Sequence, residues 1–110
     1  MQTITETISI AAEPRTVFDL VSDPRQLPRW APGVDHTRVT VRASREHGTV
    51  DFFAAEGPGP GVYTRVLPNG EGVEYQFTMF FPEGTPQTAV AEQVSVVRGE
   101  LKAVRELCEA

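Results

Sequence analysis

The sequence predicts an α+β domain in which an antiparallel sheet of about five strands wraps one long C-terminal helix, with two short helices after the first strand. Three observations carry this. Several segments, residues 73–81 most clearly, alternate apolar and polar residues with a period of two, as strands with one buried face do. Short clusters of turn residues separate the middle segments, which makes them neighbours in an antiparallel meander. No proline follows Pro86, and beyond it Val90, Val94, Val97, Leu101, Val104 and Cys108 recur at intervals of 4, 3, 4, 3 and 4. That spacing is the apolar stripe of an amphipathic helix of about six turns, roughly 34 Å long.

The elements follow in chain order. Residues 3–11 place Ile4, Ile8 and Ile10 on one face of a first strand, and Glu6 interrupts that face. Pro14 suits the first position of a helix, where its missing N–H would be unpaired anyway. Val17, Phe18, Leu20 and Val21 supply that helix with a buried side, and Asp23-Pro24 ends it. Residues 26–30 add one more helical turn, closed by Pro32-Gly33. A strand over residues 34–43 would put Thr37, Val39, Val41 and Ala43 on one face, with His36, Arg38, Thr40 and Arg42 on the other. Residues 49–55 and 62–67 are the next strands. The Gly-Pro alternation at 57–61 between them can be neither helix nor central strand. Asn69-Gly70 marks a hairpin before the last strand. Gly99, inside the long helix, costs about 1 kcal/mol relative to alanine. It either marks a close approach to a neighbour or has no role.

Length and composition narrow the function classes. The 110 residues allow one domain, residues 1–110. The net charge of −5 argues against nucleic acid and against anionic membrane surfaces. No apolar run approaches the roughly 20 residues of a bilayer span, so no membrane insertion is expected. Residues 1–6 carry no basic-then-apolar pattern, which makes a cytoplasmic location the expectation. Cys108 is the single cysteine, and His36 and His47 stand far from it in sequence, so no metal is expected. No phosphate loop, dinucleotide fingerprint or nucleophile elbow occurs, and no cofactor is expected.

The order βα(α)ββββα resembles the helix-grip fold of the START/polyketide-cyclase (SRPBCC) superfamily. Residues 6–21 (ETISIAAEPRTVFDLV) resemble its opening strand and helix, and Leu27-Pro28-Arg29-Trp30 resembles its L-P-x-W turn. Residues 33–37 (GVDHT) and 65–72 (RVLPNGEG) resemble later strand and turn segments, and the closing LKAVRELCE fits the long helix. Members usually have about 140 residues or more and seven strands, whereas this chain has five candidates. The shortfall would lie between Trp30 and Val34. A shortened sheet encloses less of the helix and leaves an edge that a second copy could cover, giving a homodimer.

The resemblance implies a cavity between sheet and helix for a hydrophobic, lipid- or polyketide-like small molecule. Trp30, Tyr75, Phe77, Met79 and Arg65 are the expected ligand-binding residues. Trp30, Tyr75, Phe77 and Met79 can instead be plain core, the reading that weighs more for Phe77 and Met79. The alternative is an enzyme similar to the cyclase/dehydratase members, which move protons without a metal, and Asp35, Arg65 and Tyr75 are its candidate catalytic residues. Strand parity points Asp35 inward with Thr37, where an inward carboxylate needs a partner such as Arg65. A strand-end exposure of Asp35 is the competing reading. His36 and His47 fall at solvent-facing positions, and Cys108 completes the helix stripe beside Glu106 and Glu109, which raise a thiol pKa. A third possibility is a small dimeric interaction module without a ligand.

Overall fold

The computed structural model describes residues 1–54 and 61–110. Five strands form one antiparallel sheet: β1 (Gln2–Ile10), β2 (Val39–Ser44), β3 (Thr49–Ala54), β4 (Val62–Asn69) and β5 (Gly72–Phe81). Their order across the sheet is β1-β5-β4-β3-β2. Helices α1 (Pro14–Val21) and α2 (Leu27–Trp30) follow β1, and α3 (Gln87–Glu109) closes the chain. This is the helix-grip arrangement.

Strand alternation decides what the sheet buries. In the registers Ile4↔Met79, Ile8↔Tyr75 and Ile10↔Val73, the apolar positions of β1 and β5 stand opposite each other. Thr64↔Phe77, Val66↔Tyr75 and Val50↔Thr64 carry the same face across β4 and β3. Val90, Val97, Leu101 and Val104 of α3 are buried, and the last three join the cluster that Val73, Tyr75, Phe77 and Met79 form. Apolar burial of this kind contributes about 25 cal/mol per Å² removed from water. Glu6, the interruption in β1, is also explained. It is ion-paired with Arg98, which reaches it from α3.

Helix α1 starts at Pro14 as the sequence predicts, and Val17, Phe18, Leu20 and Val21 are its buried side. Asp23 then accepts the backbone N–H of Arg25 and starts a 3₁₀ turn that leads into α2. The β4–β5 connection is tighter than the Asn-Gly signal alone implies. Asn69 pairs with Gly72, which leaves a two-residue loop of Gly70 and Glu71. Gly70 takes φ 61° there, a conformation that glycine adopts without steric cost. Pro68 lies inside β4, beyond the four residues that β3 pairs, so its missing N–H breaks no ladder on that side.

The strand expected over residues 34–43 is corrected. Residues 36–38 form a 3₁₀ turn, and β2 begins only at Val39. The cause is Asp35, whose Oδ1 accepts both the backbone N–H and the hydroxyl of Thr37, at 3.0 and 2.6 Å. That local bonding offers the backbone an alternative to the ladder. The glycine-proline loop expected at 57–61 lies outside the described residues except for Gly61.

Gly99 faces open space: among the described residues, nothing beyond its own helix backbone and chain neighbours lies within 4 Å of where a Cβ would stand. The close-approach explanation therefore falls. Gly99→Ala should stabilise the protein by about 0.5–1 kcal/mol through helix propensity alone. Urea unfolding of both chains checks this, and an unchanged or lowered midpoint would contradict it.

Candidate functional site

The sheet bends over α3, and α2 closes one end of the space between them. A cavity of about 110 Å³ remains there. Its walls are Leu27, Trp30 and Ala31 of α2 and its C-terminal cap, Val39 of β2, Phe52 of β3, Val62 of β4 and Phe77 of β5. Val34 and Gln93, both exposed, mark its rim, and Glu100 of α3 completes the lining. The site is thus apolar, with two polar side-chain groups among the described residues, the Gln93 amide and the Glu100 carboxyl. That is the make-up of small-molecule sites.

Trp30 is held by the fold around it. Its ring meets Phe52 edge-on, with centroids 5.9 Å apart and planes at 68°. Trp30 is only 2% exposed, and its Nε1 has no hydrogen-bond partner among the described residues. A buried donor left unpaired costs roughly 1–3 kcal/mol, so it stands out against the general rule that buried polar groups are satisfied.

Glu100 is the second anomaly. It is half-buried, and removal of its carboxyl from water pushes the pKa from 4.5 to about 7. Among the described residues that line the cavity it is the only charged one. A carboxyl poised near neutrality can both hold and release a proton there.

The expected residues divide. Trp30 and Phe77 are in the cavity wall. Tyr75 and Met79 are not; both are buried in the sheet–helix core. The Tyr75 hydroxyl donates to Thr64 Oγ1 at 3.0 Å, and Thr64 in turn donates to the Val50 carbonyl at 2.6 Å. Burial raises the Tyr75 pKa further, so its proton stays in place. The ligand-binding and catalytic expectations for Tyr75 are corrected accordingly: a fully buried, paired phenol reaches no ligand. Met79 is corrected to core because it lies outside the cavity lining and packs within the sheet–helix cluster.

Asp35 and Arg65 do not meet. Asp35 is exposed and caps the 3₁₀ turn, and its bonds to Thr37 lower its pKa. Arg65 is exposed too and lines a separate, solvent-open cleft with Arg15, Arg45 and His47. The inward-pointing Asp35 presumed a continuous strand, which Asp35 itself prevents. Arg65 alternates with the inward Thr64 and Val66, so it points to the other face of β4. Cys108 is half-buried, and burial first, then Glu109, raises its pKa. That disfavours a thiolate. His36 and His47 are exposed, and His47 Nδ1 bonds the Ser44 hydroxyl.

Sequence reasoning missed Glu100 and Gln93. They lie seven residues apart, each three residues after a buried stripe valine, Val90 or Val97. Such flanking positions are usually solvated, and only the gap that α2 leaves under the sheet turns them toward a cavity. Polar residues repeating at seven beside the stripe were the available signal.

A family model described as "Polyketide cyclase / dehydrase and lipid transport" matches residues 1–105. Among solved structures, XoxI from Bacillus cereus is similar at 15% identity, with 98% of this chain and 96% of that chain covered and a TM-score of 0.76. The Aha1 dimer from Colwellia psychrerythraea is similar at 16% identity, covering 99% and 97%, with a TM-score of 0.73. DynU16, a protein in the dynemicin biosynthetic locus, is similar at 17% identity over 96% of this chain and 46% of its own, with a TM-score of 0.73. At these identities the likeness concerns the fold. No curated protein matches the sequence.

The Glu100 environment has a measurable consequence. The unfolded chain loses this proton near 4.5, and the folded chain only near 7. Between those values the folded state binds more protons, so stability falls as pH rises through the window and stays lower above it. Glu100→Gln removes that dependence. The variant's Tm, relative to the parent, should be smallest near pH 4.5, grow up to about pH 7 and then level off. A difference independent of pH would refute the assignment.

Proposed function

The chain belongs to the polyketide cyclase / dehydrase and lipid transport family, and from that membership we propose that it binds a hydrophobic small molecule in the cavity between the sheet and α3. The observation that carries the proposal is the lining: an apolar pocket walled by Leu27, Trp30, Ala31, Val39, Phe52, Val62 and Phe77, with the Gln93 amide and the Glu100 carboxyl as its polar side-chain groups among the described residues. Natural cores are close-packed, and an apolar recess left open beside one is the setting in which small molecules bind.

The volume sets the terms. About 110 Å³ is below the roughly 300 Å³ at which drug-sized pockets begin. The chamber therefore takes the end of a molecule or a small whole one, with the remainder passing the rim at Val34 and Gln93. Lipid-like chains and compact polyketide-like rings both meet that condition.

A cyclase-like enzyme is the alternative within the same site. Its proposed catalytic group is Glu100, since Asp35, Arg65 and Tyr75 are not assembled at the cavity. The small volume also supports a second reading, a dimeric module without ligand. The similar Aha1 structure is a dimer, and β1 and β2 are the two edges of this sheet. The ligand hypothesis and the dimer hypothesis differ in what fills the chamber.

Native mass spectrometry of the purified protein against a panel of lipids and aromatic polyketides tests the proposal. Retention of a small molecule is expected, and Val62→Phe, which projects a ring into the chamber, should abolish it without lowering Tm by more than a few degrees. A dimer mass with no retained ligand would overturn the proposal in favour of the dimeric module.

A further inference from the structure

Glu100 also decides which apolar molecules the pocket favours. Resting on the proposed binding role, we infer that the ligand is an amphiphilic amine, with its apolar body against the pocket wall and its ammonium group on the Glu100 carboxylate.

Helix α3 sets the placement. Gln93 and Glu100 both line the pocket and stand seven residues apart, so two helical turns, about 10 Å, separate them along one face. Gln93 is exposed at the rim, whereas Glu100 is half-buried.

The Glu100 carboxyl has no partner. Among the described residues it enters no hydrogen bond and no ion pair. Its neighbours one turn away on the helix, Val96, Val97, Ala103 and Val104, are all uncharged. The facing elements supply Trp30 from α2, Val39 from β2, Phe52 from β3, Val62 from β4 and Phe77 from β5, none of which carries a charge. Tyr75, whose buried phenol lies within the electrostatic reach of Glu100, keeps its proton and donates it to Thr64. Glu6 makes the contrast plain. It too interrupts an apolar face beneath α3, and there the fold provides Arg98 as its counter-ion.

An ionised carboxylate withdrawn from water is costly without a counter-charge, and Glu100 responds by holding its proton up to about pH 7. An ammonium group supplies the missing charge and three donors. Bonds between two charged groups are roughly twice as strong as neutral ones. A ligand carboxylate or phosphate would instead set like charges side by side.

Hexylamine, 1-hexanol and hexanoate share one tail and differ only in the head group, so they isolate this contact. Each is titrated into the ¹⁵N-labelled whole chain at pH 8, and the backbone amide shifts of Ala31, Phe77 and Glu100 report both affinity and place. Hexylamine should bind about tenfold more tightly than hexanol, and hexanoate more weakly than either. Glu100→Gln should remove the preference for the amine over the alcohol. In the parent protein at pH 5.5, where Glu100 keeps its proton, the preference should vanish as well.

Equal affinity for amine and alcohol at pH 8 would overturn this inference and leave the hydrophobic-site proposal standing. So would a preference that survives Glu100→Gln or pH 5.5, because the attraction would then come from other acidic groups of this net-negative chain. Hexanoate binding as tightly as hexylamine would overturn it too. Binding of none of the three at the pocket amides would overturn the inference and count against the site itself. The two pH values decide the matter in the parent protein even if Glu100→Gln does not fold.

Discussion

The packing of α3 into the concave face of the sheet is the contact on which the remaining structure depends. Val97, Leu101 and Val104 are essentially dehydrated there, against Val73, Tyr75, Phe77 and Met79. Neither surface has another apolar partner of comparable size. Without α3 the sheet would present a continuous greasy face to water, and without the sheet α3 would lose the burial that offsets its glycine and its ordering cost. The ion pair between Glu6 and Arg98 sits at the margin of this contact and fixes which part of α3 lies over β1. With Arg98 well exposed, its value is orientation more than energy.

That packing also creates the site. α3 pairs closely with β1, while the far side of the sheet, at β2 and β3, is roofed by α2 instead. A straight rod and a four-residue turn cannot tile a bent sheet completely. The space that remains is bounded by Trp30, Phe52 and Phe77, and the flank of α3 that faces it carries Gln93 and Glu100. The chamber is therefore a product of geometry, and its chemistry is set by whichever residues happen to border the gap.

This explains what could be read from the residues in advance. Strand periodicity, the Pro14 start of α1, the hairpin near Gly70 and the α3 stripe are local patterns, and local patterns are visible in one dimension. The Leu27–Trp30 turn was likewise legible, and with it the presence of an indole at the cavity. The failures are equally specific. Asp35 looked like an inward strand residue because parity assumes an unbroken strand, yet its own bonds to Thr37 break the strand. Tyr75 looked like an amphipathic wall residue, but Thr64 across the ladder takes its hydroxyl, and this depends on a register that no single segment encodes. Glu100 was invisible because its neighbours in space come from five other elements.

One further consequence concerns how the chain reaches this state. Strand β1 has a single neighbour in the sheet, β5, and their ladder joins Gln2 to Phe81 and Ile10 to Val73. Every contact in that ladder closes a loop of more than sixty residues. The entropic cost of such closures has to be met before any of the burial rewards it. The hairpins of β2 to β5 can zip locally on the microsecond scale, whereas docking of the first strand waits for the whole meander. Assembly is thus expected to be slow for a chain this short, with the edge of β5 uncovered for much of that interval.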